Sequence, residues 1–290
     1  MALDSYLLQI LLTIGIGIIL AMGLTIITGF TGQLSLGHAA FMSIGAFSSA
    51  LLAIHTGLPY PLILLLSGLA SAVVAASIGW PILRLSGDYL AICTLGFAEI
   101  LKVVLLNLDF TNRALGLSVP AVTGGISLPF MVFVTALLVT LATAAIAHSR
   151  LGIALKAIRD DEIAAEASGI NLTRYKVGAF AIGGFMAGLG GSLYAHVISY
   201  INPSDFGFIK SIDILSMVVL GGLGSVPGTV LGATVLAALP ELLRFMAQYR
   251  MLVYGVLLVV MMVFRPSGLL GSVRFTTIIP LLKRRLGRSR

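Results

Sequence analysis

Apolar runs of about 20 residues recur along the chain, and this feature restricts its fold more than any other. The first run is YLLQILLTIGIGIILAMGLTII, residues 6–27. A helix of about 20 residues, rising 1.5 Å per residue, crosses the roughly 30 Å of hydrocarbon in a bilayer. Charged residues make up only 10% of the chain, whereas soluble domains carry about a quarter. The sequence therefore predicts an all-α, polytopic helical membrane protein.

Eight runs are long enough to span a bilayer, and we expect about eight to ten transmembrane segments. They are residues 5–27, 35–55, 61–83, 88–108, 128–147, 177–199, 212–239 and 251–264. The second and seventh runs are expected to be discontinuous, because TGFTGQLSLGHAAF (28–41) and GGLGSVPG (221–228) interrupt them with polar residues and glycines. The chain, residues 1–290, is treated as one transmembrane domain.

Lysine and arginine in the short connections predict the orientation, because they favour the cytoplasmic side. The loop 148–176 is rich in basic residues, and the tail 265–290 ends in KRRLGRSR. Both are expected in the cytoplasm. The connections 109–127 and 200–210 carry one basic residue each and are expected outside.

The loop 148–176 has the most regular polar pattern. Its periodicity predicts one helix from Ile153 to Ser168, ended by a left-handed Gly169 and followed by a helix that Asn171 caps. The charged face is expected to form two ion pairs, Lys156–Asp160 and Arg159–Glu162. Such a helix can lie among lipid headgroups or dock on a cytoplasmic partner.

Side chains of the interrupted second run either line a transport path or only pack helices together. If the stretch is helical, Thr31, Ser35 and His38 share one face. Hydroxyls can bond back to their own helix, but an amide and an imidazole need several partners in lipid. We therefore predict that Thr31, Gln33, Ser35 and His38 line or gate a translocation path.

Glu99 is an acidic residue inside the fourth run. Counted from Asp88, it lies about 16 Å into the membrane at the helical rise. An acid at that depth is a candidate path residue. It is equally a candidate for a structural ion pair with Lys102 that faces a partner subunit.

Glycines spaced four apart indicate close helix packing. Gly184 and Gly188 have this spacing in the sixth run, and Gly224 and Gly228 repeat it in the seventh. Pro227 lacks an amide donor and favours a break there. We assign these five residues to helix packing or hinge roles.

Several stretches resemble, in order, the permeases of branched-chain amino-acid ABC importers. They are GFTGQLSLGHAAF, SGDYLAICTLGFAEI, IRDDEIAAEASGIN, VLGGLGSVPGTVLGA and RPSGLLG. The second is similar to the LivM-type subunit rather than to its LivH-type partner. EIAAEASG resembles the EAA-type cytoplasmic loop of ABC-importer permeases, although no Ile-x-Leu-Pro follows it.

The resemblance implies a non-enzymatic transport subunit of the bacterial plasma membrane that carries leucine, isoleucine and valine. Its implied partners are a LivH-type permease, two cytoplasmic ATPase subunits and a periplasmic or lipid-anchored binding protein. ATP and Mg²⁺ are expected in the ATPases, because this chain has no phosphate-binding loop. No cofactor, metal site or catalytic residue is expected here. The residues expected to couple to the ATPases are Arg159, Asp160, Asp161, Glu162, Ala165, Glu166 and Gly169.

Other functions are weaker interpretations of the same sequence. Related permeases carry urea, short amides or other amino acids, so the substrate stays open. A stand-alone secondary transporter would need several ligands for a coupling ion. Glu99 alone is weak support for such a site. A membrane enzyme would need a motif such as His-Glu-x-x-His, which the chain lacks.

Overall fold

The structure is a computed structural model that describes residues 2–83, 85, 87–122, 127–242, 255, 259, 268 and 269. Six of the described helices are long and apolar enough to cross a membrane, and they are Tyr6–Phe30, His38–His55, Tyr60–Ile82, Asp88–Asn107, Leu128–His148 and Leu172–Ile198. The predicted polytopic helical fold is confirmed. The expected run 251–264 and the basic tail 265–290 lie almost wholly outside the described residues.

Ten α-helices make up most of the described chain. They are α1 (Ala2–Leu24), α2 (His38–His55), α3 (Tyr60–Ile82), α4 (Asp88–Asn107), α5 (Leu128–His148), α6 (Arg150–Asp160), α7 (Glu162–Ala167), α8 (Leu172–Ile198), α9 (Phe208–Gly221) and α10 (Val226–Leu242). A π-helix, Thr25–Phe30, continues α1 directly. Short 3-10 turns occupy Asp109–Thr111, Arg113–Leu115 and Pro203–Phe206, and two strands are β1 (Leu117–Ser118) and β2 (Tyr200–Ile201).

Strands β1 and β2 pair antiparallel and join two distant connections. Leu117 faces Ile201 in the ladder, and Asn202 Nδ2 donates to the carbonyl of Ala114 at 2.9 Å. We call this side of the molecule the strand end. Helices α6 and α7 lie at the other end of α8, whose 27 residues span about 40 Å. We call that side the loop end.

Helix α8 forms the centre of the fold because its small residues allow α2 and α3 to approach closely. A Cβ at Gly188 would lie 2.6 Å from the Cβ of Ser71 on α3 and 2.9 Å from the carbonyl oxygen of Ser67. A Cβ at Gly184 would overlap Ala75, and one at Gly191 would overlap the backbone of Met42 on α2. The contact between these helices is thus made by backbone and methyl groups.

Replacing Gly188 with valine should therefore destabilise the protein. Overpacking of a close contact costs about 1–3 kcal/mol, so we expect a lower unfolding temperature and a lower yield in detergent. Gly178→Val is the matched control on the same helix, because nothing lies within 4 Å of a Cβ at Gly178. Equal stability of the two variants would contradict the packing role.

Candidate functional site

The first break in a spanning helix lies between the π-helix and α2. Thr31 ends the helical run, Gly32 has a left-handed φ of +72°, and residues 32–37 are not helical. Helix α2 then begins at His38, whose Nε2 lies 3.1 Å from the carbonyl oxygen of Leu20 on α1. Leu20 precedes Phe30 by ten residues, or about 15 Å, so the segment turns back into the membrane interior.

Thr31, Ser35 and His38 would share one face only in a continuous helix, and Gly32 ends the helix between the first two. All three are nevertheless buried, at 2%, 1% and 0% exposure, and Gln33 is 5% exposed. Thr31 donates to the carbonyl of Ile27. The structure therefore brings these four residues together by a non-helical loop.

Two of the predicted path residues carry buried polar atoms without a hydrogen-bond partner in the described chain. They are Gln33 Nε2 and His38 Nδ1, and Thr28 Oγ1 nearby shares this property. Buried polar atoms in proteins are bonded in the great majority of cases, so each such atom calls for an explanation. If the non-helical loop at residues 32–37 moves during transport, these atoms can form hydrogen bonds with a polar group that they do not contact in this structure.

The second break separates α9 from α10 at residues 222–225. Gly222 and Gly224 have φ values of +111° and +83°, which L side chains adopt with strain. The predicted division of the seventh run into two helices is confirmed. Gly224 lies in the turn and not in a helix, and a Cβ there would lie 3.0 Å from the carbonyl oxygen of Gly29. Pro227 and Gly228 stand in the first turn of α10, where Gly228 contacts the backbone of Gly221.

Arg159 of α6 reaches both breaks. Its Nη1 donates a hydrogen bond to the carbonyl oxygen of Gly29, in the π-helix, at 2.7 Å. A Cβ at Gly32 would lie 2.9 Å from Arg159 Cγ, and a Cβ at Gly224 would lie 3.0 Å from Arg159 Nη1. We call these four residues the arginine junction. The junction ties the loop-end helix α6 to the end of the π-helix and to the α9–α10 turn.

Lys156 strengthens this attachment one turn earlier on α6. Its Nζ donates to the carbonyl oxygen of Ala147 at 2.7 Å, and it lies 5.4 Å from the ring centroid of Phe30. A cation suits both partners, since helix C-termini carry partial negative charge and aromatic faces attract cations. The expected Lys156–Asp160 and Arg159–Glu162 pairs are therefore wrong, because both cations bond to other elements.

The expectation of one helix from 153 to 168 is also wrong. Asp161 is extended, with φ −159° and ψ 112°, and its carboxylate accepts hydrogen bonds from the amides of Ile163 and Ala164. This cap ends α6 and starts α7. The expected end is confirmed: Gly169 is left-handed at φ +84°, and Asn171 accepts a hydrogen bond from the amide of Arg174.

The residues expected to couple to the ATPases divide into two groups. Arg159, Asp160, Asp161, Glu166 and Gly169 are exposed at the loop end, whereas Ala165 is buried and Glu162 is half-buried. Glu162 bonds to Lys176 at the start of α8, with Nζ and Oε2 2.7 Å apart. Exposed carboxylates near the left-handed Gly169 form a surface that a partner can contact.

Glu99 lies apart from the buried polar loop. It forms the predicted ion pair with Lys102, and the two side chains are 40% and 25% exposed. The pair borders a cleft between α4 and the first turn of α9. Within the described residues, no group of three or more His, Cys, Asp or Glu could hold a metal ion.

The family of branched-chain amino acid transport system permease components matches residues 6–264. The chain belongs to this permease family. The match includes both broken helices and the arginine junction. No solved structure matches the chain significantly.

Individual relatives of this permease include both subunit types. The high-affinity branched-chain amino acid transport permease LivM of Salmonella typhimurium is 38% identical over 94% of this chain and 71% of its own length. BraD of Pseudomonas aeruginosa is 30% identical over 87% of this chain and 91% of its own length. LivH of Salmonella typhimurium is 26% identical, with 87% and 90% covered. The permease is thus more similar to the LivM protein than to LivH.

Arg159, which the sequence places among the residues expected to couple to the ATPases, is exposed at the loop end, and its guanidinium also bonds to another part of the permease. The partners are distant in sequence, since Gly29 is 130 residues away. The sequence did contain a sign of this contact, because Gly29, Gly32 and Gly224 lie in the two stretches that interrupt the apolar runs. Glycines at such breaks indicate close approach of another group as well as backbone freedom.

Replacing both Gln33 and His38 with leucine should lower transport by the permease about tenfold without lowering its yield. The reason is that each side chain has a buried polar atom available to a moving group, and a polar contact of that kind is worth about 1 kcal/mol or more. Uptake by the assembled transporter measures this. Ser43→Ala is the control, because the Ser43 hydroxyl is also buried in α2 but bonds to its own helix at Ala40. Unchanged uptake in the double variant would contradict a path role.

Proposed function

We propose that this permease is the LivM-type membrane subunit of an ATP-driven importer that carries branched-chain amino acids across the bacterial plasma membrane. Its partners are a LivH-type permease, two cytoplasmic ATPases that bind ATP and Mg²⁺, and an external substrate-binding protein. The arginine junction carries the proposal, because it connects an exposed loop-end helix to both broken helices. A subunit driven by another protein needs such a connection.

In this proposal the loop end is cytoplasmic and the strand end is external. The ATPases contact the exposed carboxylates of α6 and α7, among them Asp160 and Glu166. Their closure moves α6. Arg159 and Lys156 transmit the movement to the π-helix and to the α9–α10 turn, which changes the access of the path to one side or the other.

The proposed chain of contacts requires no bond making in this subunit. The binding protein docks at the strand end, where the β1–β2 pair joins the two external connections. Selectivity is set mainly by that protein. Leucine, isoleucine and valine are the proposed substrates because the relatives are named for branched-chain amino acid transport.

The experiment that tests the proposal is purification of the chain from its native membrane in mild detergent, followed by mass spectrometry of the proteins that come with it. We expect two ATPase subunits and a second permease. Uptake of labelled leucine by vesicles that contain the complex should require ATP inside, and membranes lacking this chain are the control. A chain that purifies alone would overturn the importer proposal, and uptake of urea but not leucine would overturn the substrate.

A further inference from the structure

A charged cleft of about 440 Å³ opens beside α4, near the strand end. Its size lies within the roughly 300–1,000 Å³ of small-molecule pockets. It is formed by one turn of α4, by the 3-10 turn before α9 and by the first turns of α9. The lining residues are Glu99, Lys102, Ser204, Asp205, Gly207, Phe208, Ile209, Lys210 and Asp213.

The cleft contains both cations and carboxylates. Lys102 pairs with Glu99, and a Cβ at Gly207 would lie 3.7 Å from Lys102 Nζ. Lys210 Nζ lies 5.2 Å from the ring centroid of Tyr194. Asp205 is exposed, and one of its oxygens accepts a hydrogen bond from the amide of Asn202 at 3.1 Å. Each side of the cleft thus carries both signs of charge, with Glu99 and Lys102 on α4 and with Asp205, Lys210 and Asp213 on the 3-10 turn and α9.

The charged lining of the cleft favours a mouth that faces water or protein rather than lipid. Glu99 lies about 16 Å from the start of α4 at the helical rise. Charged side chains in hydrocarbon are costly, and they face a protein interior or a water-filled cavity. Neighbouring side chains on α4, such as Ile92 and Ile100 at 64% exposure each, provide the apolar surface that suits lipid or a partner helix.

The cleft also has apolar walls. Phe208 and Ile209 are 41% and 65% exposed at its edge. Helix α9 begins there, and the partial positive charge of a helix N-terminus adds to the field of the two lysines. A ligand with one carboxylate, one ammonium group and an aliphatic side chain would meet a complementary group for each part.

We propose that this cleft binds a free α-amino acid as a zwitterion, with its carboxylate toward Lys102 and Lys210, its ammonium toward Asp205 and Glu99, and its side chain against Phe208 and Ile209. This inference rests on the proposed function and narrows its substrate class. Urea and neutral amides carry neither charge, so they would leave the lysines and carboxylates of the cleft without a charged partner.

The test is binding of tritiated L-leucine to the purified, ATP-free transporter complex in nanodiscs, without the binding protein. We expect saturable binding that unlabelled leucine displaces. Two analogues, 4-methylpentanoate without the ammonium and 3-methylbutan-1-amine without the carboxylate, should each compete at least tenfold more weakly. Each lost charged contact is worth about a factor of ten or more.

Variants locate the binding. Lys210→Met and Asp205→Asn should each weaken leucine binding at least tenfold, since asparagine keeps an oxygen that can accept the Asn202 amide. Asp88→Asn is the matched control, because it removes an exposed carboxylate from the other end of the same helix, α4. It should bind leucine as the wild type does.

The outcomes separate this inference from the proposed function. Wild-type binding by both cleft variants, or no leucine binding by a wild-type complex that takes up leucine, would overturn the cleft and leave the importer proposal standing. Leucine binding that both cleft variants weaken, in a chain that co-purifies without ATPases, would support the cleft and overturn the importer. If a cleft variant gives no intact complex, the other variant and the two analogues still decide the result.

Discussion

Replacing Arg159 with methionine is expected to lower leucine uptake at least tenfold, while the complex still assembles and hydrolyses ATP. The guanidinium donates to the carbonyl oxygen of Gly29 at 2.7 Å and lies against Gly32 and Gly224. A hydrogen bond from a charged donor is worth about 1.5–3 kcal/mol, and methionine keeps only the apolar stem. The α6 helix would then move without displacing the end of the π-helix or the α9–α10 turn.

The measurement is the number of leucine molecules carried per ATP hydrolysed in proteoliposomes. Arg174→Met is the matched control, because Arg174 is an exposed arginine in the same loop-end region. Arg159→Lys should fall between, since lysine retains the charge but not the planar geometry of the guanidinium. An unchanged ratio in Arg159→Met would mean that the junction plays no part in coupling.

Replacing Gly169 with proline is expected to have the second large effect, a loss of uptake of at least tenfold together with weaker retention of the ATPases. Gly169 has φ +84°, and its amide donates to the carbonyl oxygen of Glu166 at 2.9 Å. Proline requires φ near −65° and has no amide hydrogen. The turn that joins α7 to α8 would therefore have to change.

The control for this prediction is Gly169→Asn at the same position. Asparagine tolerates the left-handed conformation better than other side chains, and nothing lies within 4 Å of a Cβ there. We expect near-normal uptake and ATPase retention in that variant. If the proline variant also transports normally, the angle of this turn does not matter for coupling.

Features that depend on a few neighbouring residues could be predicted from the sequence. The left-handed Gly169, the cap at Asn171 and the Glu99–Lys102 pair are all present. The break at residues 222–225 was also predictable. Each follows from backbone preferences or from i,i+3 geometry, which act within one or two turns.

The features that could not be predicted depend on distant partners. The ion pairs expected for Lys156 and Arg159 are locally sound, but Ala147, Phe30 and Gly29 compete for the same cations. Periodicity also extended one helix across Asp161, whose side chain caps a new helix instead. Sequence spacing alone does not say which of two local partners, or which distant one, a long side chain will reach.

The position of α9 has a consequence for how the strand end and the loop end can influence each other. Its first turn follows the 3-10 turn that continues from β2, and its last residue precedes the turn held by Arg159. The helix has 14 residues, or about 21 Å. A displacement imposed at the strand end therefore reaches the α9–α10 turn, which Arg159 contacts, through a single helix.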